Sequence, residues 1–397
     1  MPIYLDHAAT TPMTPEVLAA YVDALSLVGN PASIHSQGQN AKRMLEEARE
    51  RVALSVGADS VEVTFTGGGT EAVNLAVKGL YWARNATAVR PRVLVPEGEH
   101  HATMDAVAWL EAHEGARIEW LPIDELGRIR LDALEAALAD DVALVTALWA
   151  NNEVGTIQPV EQIAALAAAA GVPVHLDAIS AYGYVPLDFH AVGVDALSIS
   201  AHKIGGPVGA GALVIARSAT ITPLLHGGNQ QRARSGTQDA AGAVAFGVAA
   251  EAATANLDER SRALAAVRDR LVGGIQESVP SAIHRGDPTS DGRLPGNAHF
   301  TFPGCEGDSL LFLLDVAGFS VSTGSACQAG VPEASHVLTA MGVSEPDARG
   351  ALRFTIGHET TVDEVDALVA ALPAAVLRAS RAGLSARETT LGHLRHH

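Results

Sequence analysis

Two residues that could act on one cofactor each follow a short apolar segment of this chain. Lys203 comes after Val194–Ser200 and shortly before two glycines and a proline, and Asp177 ends the apolar run Val172–Leu176. A lysine at the end of a buried strand is costly unless its amine is paired or used covalently. One such use is a Schiff base with pyridoxal phosphate (PLP), whose ring nitrogen a carboxylate could keep protonated. The two residues therefore predict a PLP site.

The stretch Thr66–Glu71 joins a predicted strand to a predicted helix and contains three glycines. Glycines let a backbone approach a ligand, and a helix N-terminus offers free N–H groups and positive potential. The stretch could therefore cradle a phosphate with help from the Thr70 hydroxyl, or it could be a glycine turn that Thr70 caps. The loop Arg232–Thr237 is a weaker candidate, because basic loops are usually only solvated.

Two further polar positions follow predicted strands. His100 could stack on a planar ring and carry protons, or it could be an exposed loop histidine. Asn151 and Asn152 follow the strand that ends at Trp149, where an amide could bind a cofactor oxygen. Asparagine is also common in turns, so both interpretations stay open for these residues as well.

The chain has two cysteines, and their surroundings differ. Cys327 is flanked by small residues in Ser322–Gly330, so we expect an accessible loop in which its thiol could act as a nucleophile. Cys305 lies in Phe302–Asp308 and is predicted to be a structural turn residue. Two thiols without a Cys-x-x-Cys spacing predict neither a disulfide scaffold nor a zinc site.

Arg353 alternates with apolar residues in Ala351–Ile356, the pattern of a half-buried strand. Its guanidinium could clamp a substrate carboxylate through two hydrogen bonds. The competing interpretation is an arginine on a solvated strand face.

Alternating strands and helices between about residues 39 and 217 must position these side chains. Seven short apolar segments there are predicted to be strands, and the segments between them show helical spacing. The alternation indicates an α/β fold with a mainly parallel seven-stranded sheet between helices. Ligands of such sheets bind beyond the C-terminal strand ends. The candidate residues at those ends are Gly67–Thr70, His100, Asn152, Asp177 and Lys203.

The pattern of the chain changes after about residue 257, where a charged helix over Leu257–Gly274 leads into shorter segments. We therefore expect a second, smaller α+β domain. Its predicted strands include Ala298–Phe302, Val321–Ser322 and Leu352–Ile356. The expected divisions are residues 1–15, packing with the small domain; 16–257, the large cofactor-binding domain; 258–385, the small C-terminal domain; and 386–397, a disordered tail.

The formal net charge is −18, from 45 acidic residues against 27 lysines and arginines among 397 residues. This charge argues against nucleic acid and anionic membrane surfaces as partners. The N-terminus lacks the basic and apolar segments of a signal peptide, and no apolar run reaches the ~20 residues that span a bilayer. We therefore expect a cytoplasmic enzyme.

Eight motifs in their order along the chain resemble the cysteine desulfurases, in the class V aminotransferase branch of fold-type I PLP-dependent transferases. The motifs are Tyr4–Pro12, Gly29–His35, Thr70–Ala76, Asn151–Gly155, Ser200–Gly206, Arg234–Thr237, Ser322–Cys327 and Arg353–Phe354. The Gly-Ser-Ala-Cys sequence that ends at Cys327, and the length of that loop, resemble the long-loop group. That group supplies sulfur for iron–sulfur clusters and for RNA thiolation.

The resemblance implies a role for each matching residue. Lys203 would form the Schiff base, Asp177 would pair with the ring nitrogen, and His100 would stack on the ring and carry protons. Cys327 would be the nucleophile; no resident metal is expected, although this thiol could be a transient cluster ligand. The residues implied to hold the phosphate are Gly69, Thr70, Ser200, His202 and, from the neighbouring subunit of a homodimer, Thr237.

The remaining implied roles concern the ring oxygen and the substrate. Arg353 and Asn152 would hold the substrate carboxylate, and Asn152 would also contact the ring oxygen. Ser180 stands near the ring oxygen, where the family usually has a glutamine, so this chain departs from the pattern there. The implied reaction converts L-cysteine to L-alanine and leaves a persulfide on Cys327 for an acceptor protein.

Three alternatives to this reaction remain. A selenocysteine lyase or another PLP-dependent C–S lyase would use the same fold. A transaminase would make a keto acid and would not need Cys327. A non-enzymatic sulfur carrier would bind no cofactor. The acceptor of the persulfide could belong to iron–sulfur cluster assembly, to tRNA thiolation or to DNA phosphorothioation.

Overall fold

The computed structural model describes residues 2–324 and 334–387. The helices are α1 (Pro15–Leu25), α2 (Ser36–Leu54), α3 (Gly69–Asn85), α4 (His101–Glu114), α5 (Leu131–Ala137), α6 (Val160–Ala169), α7 (Phe189–Val192), α8 (Ala240–Thr254), α9 (Leu257–Ser278), α10 (Gly307–Val316), α11 (His336–Ala340), α12 (Glu345–Ala348) and α13 (Val362–Arg387). The strands are β1 (Ile3–Tyr4), β2 (Val63–Thr66), β3 (Arg92–Pro96), β4 (Arg117–Leu121), β5 (Val142–Leu148), β6 (Val174–Asp177), β7 (Ala196–Ser200), β8 (Gly211–Ile215), β9 (Ile283–Arg285), β10 (Asn297–Thr301), β11 (Phe319–Ser320) and β12 (Ala351–Thr355).

The largest sheet has seven strands in the order β2-β8-β7-β6-β5-β3-β4. Strand β8 runs antiparallel to both of its neighbours, and the other neighbouring pairs are parallel. Every residue of β5, β6 and β7 is buried, as expected for a sheet covered on both faces. One apolar core joins the sheet to α2 and α8, and another joins it to α3 and α4. The predicted α/β fold is therefore confirmed.

A separate apolar core lies between α9, α10, α13 and a three-stranded antiparallel sheet in the order β12-β10-β9. The N-terminal segment reaches this core, because β1 pairs in parallel with β11 and Leu5 is fully buried there. These contacts support the proposed division of the chain near residue 257. The predicted strand Val321–Ser322 is wrong: the strand is Phe319–Ser320, and Ser322 forms only an isolated bridge to Arg353.

Helices α8 and α9 meet at a sharp corner. Asn256, between them, has a left-handed backbone with a φ of 51°, a conformation that asparagine tolerates better than most residues. Within the described residues, no single helix is long and apolar enough to cross a membrane. The pair α8 and α9 meets those length and composition criteria only when taken together, and it is bent by 73°.

The parallel strands direct their C-terminal ends to one edge of the large sheet. Leu148, the last residue of β5, pairs with Asp177, and Asp177 pairs with Ser198 of β7. Strand β2 runs in the same direction as β7, because both are antiparallel to β8. The turns after β2, β3, β5, β6 and β7 therefore converge, and they carry the candidate residues.

Candidate active site

A cavity of about 410 Å³ opens at this edge of the large sheet. It is lined by all of the predicted site residues except Thr237 and Cys327. These lining residues are Gly69, Thr70, His100, Asn152, Asp177, Ser180, Ser200, His202, Lys203 and Arg353. Ser322 and Gly324 also line it, so the described end of the segment that leads to Cys327 reaches the same cavity.

Lys203 lies in a single 3₁₀ turn, Ala201–Ile204, directly after β7. Gly205 ends this turn with a φ of 80°, a backbone conformation that favours glycine. The Lys203 amine donates to the carbonyl oxygens of Ala8 and Ala9, the latter at 3.1 Å. Burial and the nearby Arg353 charge lower the pKa of Lys203 to about 8, against the opposing effect of Asp177 and Asp6. About a tenth of the amine is therefore neutral at pH 7.

Asp177 ends β6 at the floor of the cavity and is 2% exposed. Its Oδ1 accepts a hydrogen bond from the Ile179 N–H at 2.9 Å. Burial raises the pKa of Asp177 to about 6, although the Ile179 N–H and the Lys203 charge oppose the shift. A buried carboxylate with so little compensation favours a cationic partner, and a protonated ring nitrogen is one.

The N-terminus of α3 forms another wall of the cavity. Gly68 precedes this 17-residue helix with a φ of 134°, and Gly69 packs so closely that an added Cβ would lie 2.3 Å from Ile179 Cδ1. The nearby Ser200 hydroxyl is buried and lacks a hydrogen-bond partner among the described residues. A helix N-terminus with an unpaired buried donor beside it suits a phosphate group.

Two histidines line the cavity in their neutral forms. His100 caps α4, and its Nδ1 accepts from the Ala102 N–H at 3.1 Å, which leaves the ring proton on Nε2. Burial and the charges of Lys203, His101 and His336 lower the pKa of His100 to about 4. Burial, then Lys203, lowers the pKa of His202 to about 4 as well. Both rings are therefore uncharged at neutral pH.

Arg353 lies on β12 with its guanidinium held from two sides. Its Nη1 donates to the Asn152 carbonyl oxygen at 2.8 Å, and its Nη2 donates to Asp6 Oδ1 at 2.9 Å. The residue is 6% exposed, so the solvated-strand interpretation is wrong. A guanidinium oriented in this way at the cavity wall can bind a carboxylate.

Comparisons with known proteins agree with this geometry. The profile of the family described as aminotransferase class-V matches residues 3–368. An IscS-like cysteine desulfurase from Mycobacterium tuberculosis is 52% identical over 96% of this chain and 98% of that protein. The chain belongs to the cysteine desulfurases of the class-V aminotransferase family.

Two further matches have the same character. A cysteine desulfurase IscS from Methanosarcina thermophila is 40% identical over 94% of this chain and 91% of that protein. The solved structure of a NifS-like protein superimposes with a TM-score of 0.88 at 33% identity, covering 95% of this chain and 100% of that one. The resemblance to cysteine desulfurases read from the eight motifs is confirmed.

Thr237 and Cys327 are the predicted site residues that the cavity of this desulfurase-family chain does not include. Thr237 is exposed and lines a different hollow, beside Arg234 and Gln238 at the β2–β8 side of the large sheet. Its predicted contact with a neighbouring subunit therefore stays a prediction. Cys327 lies outside the described residues, as do residues 388–397 of the predicted tail.

Sequence reasoning missed three features in or beside the cavity. The Asp6 carboxylate contacts Arg353, and the Ala8 and Ala9 carbonyls contact Lys203. The sequence alone assigns this N-terminal motif no role in the site. Glu99 is 1% exposed, and one of its oxygens accepts from the Leu148 N–H at 2.7 Å. Burial, with Asp177 nearby, raises the pKa of Glu99 well above its usual value. An acid directly before His100 was the one available signal.

Proposed function

We propose that this protein removes sulfur from L-cysteine, releases L-alanine and keeps the sulfur as a persulfide on Cys327. The observation that carries the proposal is the lining of one cavity. It joins the Lys203 amine, the buried Asp177 carboxylate and Gly324, the last described residue before the segment that contains Cys327. A transaminase would need the first two groups but not a cysteine-bearing segment that begins beside the same cavity.

The residues of the cavity fit PLP. Lys203 would hold it covalently through Nζ, Asp177 would pair with its ring nitrogen, and His100 would stack on the ring. The proposed phosphate ligands are Gly69, Thr70, Ser200 and His202, with Thr237 contributed by a second copy of the chain. When bound, the cofactor supplies an electron sink that stabilises negative charge at the substrate Cα.

Binding of cysteine is assigned to the wall that Arg353 forms. The guanidinium, already aligned by Asp6 and by the Asn152 carbonyl, would pair with the substrate carboxylate. The Asn152 side chain lines the same wall and would contact the substrate and the ring oxygen. Ser180 would contact that oxygen directly or through water, because its side chain is shorter than the usual glutamine.

Proton transfer is assigned to two groups whose pKa values the protein has lowered. The Lys203 amine, with a pKa of about 8, would take the proton from Cα once it is free. The His100 ring, which is neutral because its pKa is lowered to about 4, would carry a proton between the substrate and the cavity.

Sulfur transfer is assigned to the Cys327 thiolate. It would attack the substrate sulfur, forming the S–S bond while the substrate Cβ–S bond breaks. The electron pair of the broken bond stays with carbon and is protonated, which gives L-alanine. One thiol and one cysteine thus become one persulfide and one alanine, with no external oxidant or reductant.

The persulfide requires an acceptor, and we propose an acceptor protein of iron–sulfur cluster assembly or tRNA thiolation. The net charge of −18 argues against direct binding to nucleic acid or to an anionic membrane. We also propose that the enzyme is a cytoplasmic homodimer, because a reactive thiol persists in a reducing compartment and Thr237 does not line the cavity of its own chain that holds Lys203.

The decisive test is mass spectrometry of Cys327 after L-cysteine is added to the PLP-loaded protein. We expect the peptide to gain one sulfur atom while alanine accumulates, and Cys305→Ser to leave both results unchanged. Cys327→Ser should keep its PLP but form neither persulfide nor sulfide. If Cys327→Ser released sulfide at the parent rate, the enzyme would be a direct C–S lyase. If the parent protein turned over selenocysteine faster than cysteine, it would be a selenocysteine lyase.

A further inference from the structure

Glu153 is a buried carboxylate that the chemistry above does not use. It follows Asn152 and is 3% exposed. Its backbone is fixed on both sides, because its N–H donates to Asn151 Oδ1 at 2.9 Å and its carbonyl oxygen accepts from Asn297 Nδ2 at 3.1 Å. The carboxylate therefore has a defined position beside the cavity, and its contacts suggest what that position is for.

Ser335 contacts this carboxylate from the C-terminal side of the segment that carries Cys327. The Ser335 hydroxyl donates a short hydrogen bond to Glu153 Oε2, and its oxygen accepts from the Leu338 N–H at 3.2 Å as the cap of α11. Ser335 is 1% exposed. The next residue is also tied to the site, because His336 Nε2 donates to the Glu99 carbonyl oxygen at 2.8 Å.

Gly324 lies near the same carboxylate, on the N-terminal side of the segment. A Cβ on Gly324 would lie 3.5 Å from Glu153 Oε2 and 3.4 Å from Nε2 of the fully buried His299. The Gly324 N–H donates to Ser322 Oγ at 3.1 Å. Ser322 in turn pairs with Arg353 through two backbone hydrogen bonds of 2.7 and 3.2 Å.

Resting on the proposed role of Cys327, we propose that Glu153 is a positioning residue that clasps the two ends of this segment. Oε2 accepts a hydrogen bond from Ser335 and lies 3.5 Å from the place where a Cβ on Gly324 would stand, and these two residues are eleven positions apart in sequence. Glu153 is also directly bonded to Asn152. The clasp therefore ties the start and end of the thiol-bearing segment to a residue of the substrate wall.

The test breaks the clasp without removing the helix cap. Ser335→Asp keeps a good N-cap for α11 but places a second carboxylate against Glu153. Ser344→Asp is the matched control, because Ser344 caps α12 in the same way at an exposed position. The double variant Ser335→Asp/Glu153→Gln is the rescue, because the glutamine N–H can donate to the introduced carboxylate.

All variants are made in a Cys305→Ser background and loaded with PLP, so that Cys327 is the one thiol of the chain. We expect Ser335→Asp to lower the kcat for alanine formation about 10- to 100-fold, as misplacement of a reacting group does. The absorbance change of the cofactor on cysteine addition should keep its parent rate. Alkylation of Cys327 by iodoacetamide, without cysteine, should become severalfold faster. The rescue variant should return both values towards those of the parent.

Either of two results would overturn the proposal that Glu153 clasps the segment. In the first, Ser335→Asp has the same kcat and the same alkylation rate as Ser344→Asp. In the second, the double variant is as impaired as Ser335→Asp alone. Cys327→Ser in the same series separates the two proposals. If it formed alanine at the parent rate, the proposed function would fail, while the alkylation rates would still decide whether Glu153 holds the segment.

Discussion

Arg353 and Asp6 form a largely buried ion pair, with 2.9 Å between Nη2 and Oδ1, although the two residues are 347 positions apart in the sequence. The Arg353 side chain is 7% exposed and that of Asp6 is 20% exposed. The pair fixes one nitrogen of a guanidinium that lines the cavity. The N-terminal segment therefore supports the wall of the cavity that Arg353 forms.

Removal of Asp6 should weaken cysteine binding. We expect Asp6→Ala to raise the KM for cysteine about tenfold, or ~1.4 kcal/mol, because the guanidinium loses its aligned position. Asp6→Asn keeps an acceptor for Nη2 and should have a smaller effect. Steady-state kinetics of alanine formation check this, and an unchanged KM for Asp6→Ala would show that Asn152 alone aligns Arg353.

The lowered pKa of Lys203 predicts how PLP attachment depends on pH. Only the neutral amine can form the covalent bond, and its pKa is about 8 in the cofactor-free protein. The attachment rate should therefore rise about tenfold per pH unit below pH 8 and level off above it. Stopped-flow absorbance over pH 6–10 measures this. A rate still rising at pH 10 would mean that the amine has an ordinary pKa, and Lys203→Ala should show no covalent attachment.

His100 should matter far more than its neighbour His101. We expect His100→Ala to lower kcat about 100-fold, because it removes the ring that we propose stacks on the cofactor and carries protons. His101→Ala is the matched control, since its ring packs against His336 with 5.2 Å between ring centroids. PLP content and kcat of both variants check the prediction, which fails if the two variants lose activity equally.

Glu99 should reduce stability at high pH. Its pKa is raised in the folded protein, so the folded state keeps a proton that the unfolded state releases above its ordinary value near 4.5. Stability therefore falls as pH rises through that value and above it, until Glu99 ionises in the folded protein. Glu99→Gln removes this loss. In the cofactor-free protein, the urea midpoint of Glu99→Gln should exceed that of the parent by more at pH 8 than at pH 5. Equal differences at the two pH values would contradict the raised pKa of Glu99.

Thr237 should act in the site of the other subunit. Lys203→Ala and Thr237→Ala subunits, each impaired alone, are mixed and allowed to exchange. One site of each hybrid then combines an intact Lys203 from one chain with an intact Thr237 from the other, so activity should reappear. Activity no greater than the sum of the separate variants would place Thr237 outside the partner's site. The single-chain geometry motivates the experiment, because Thr237 lines a hollow away from Lys203.

The sequence predicted most of the fold because strands and helices are marked by patterns of neighbouring residues. Short apolar runs ending in glycine or polar residues marked the seven strands, and the structure has them within two or three residues. Helix α8 was missed, because its nearly continuous small and apolar residues carry little helical periodicity. The strand near Val321 was placed two residues too late, since two-residue strands leave almost no pattern.

The sequence by itself determined which strand ends carry a lysine, an aspartate and a histidine, because strand ends follow from the apolar pattern. Only the tertiary structure decided that Asp6 and the Ala8 and Ala9 carbonyls meet Arg353 and Lys203, because those contacts join segments about 200 to 350 residues apart. The tertiary structure also decided the pKa values of Lys203 and Asp177. The lowered pKa of Lys203 and the raised pKa of Asp177 come from desolvation, which depends on everything packed around them.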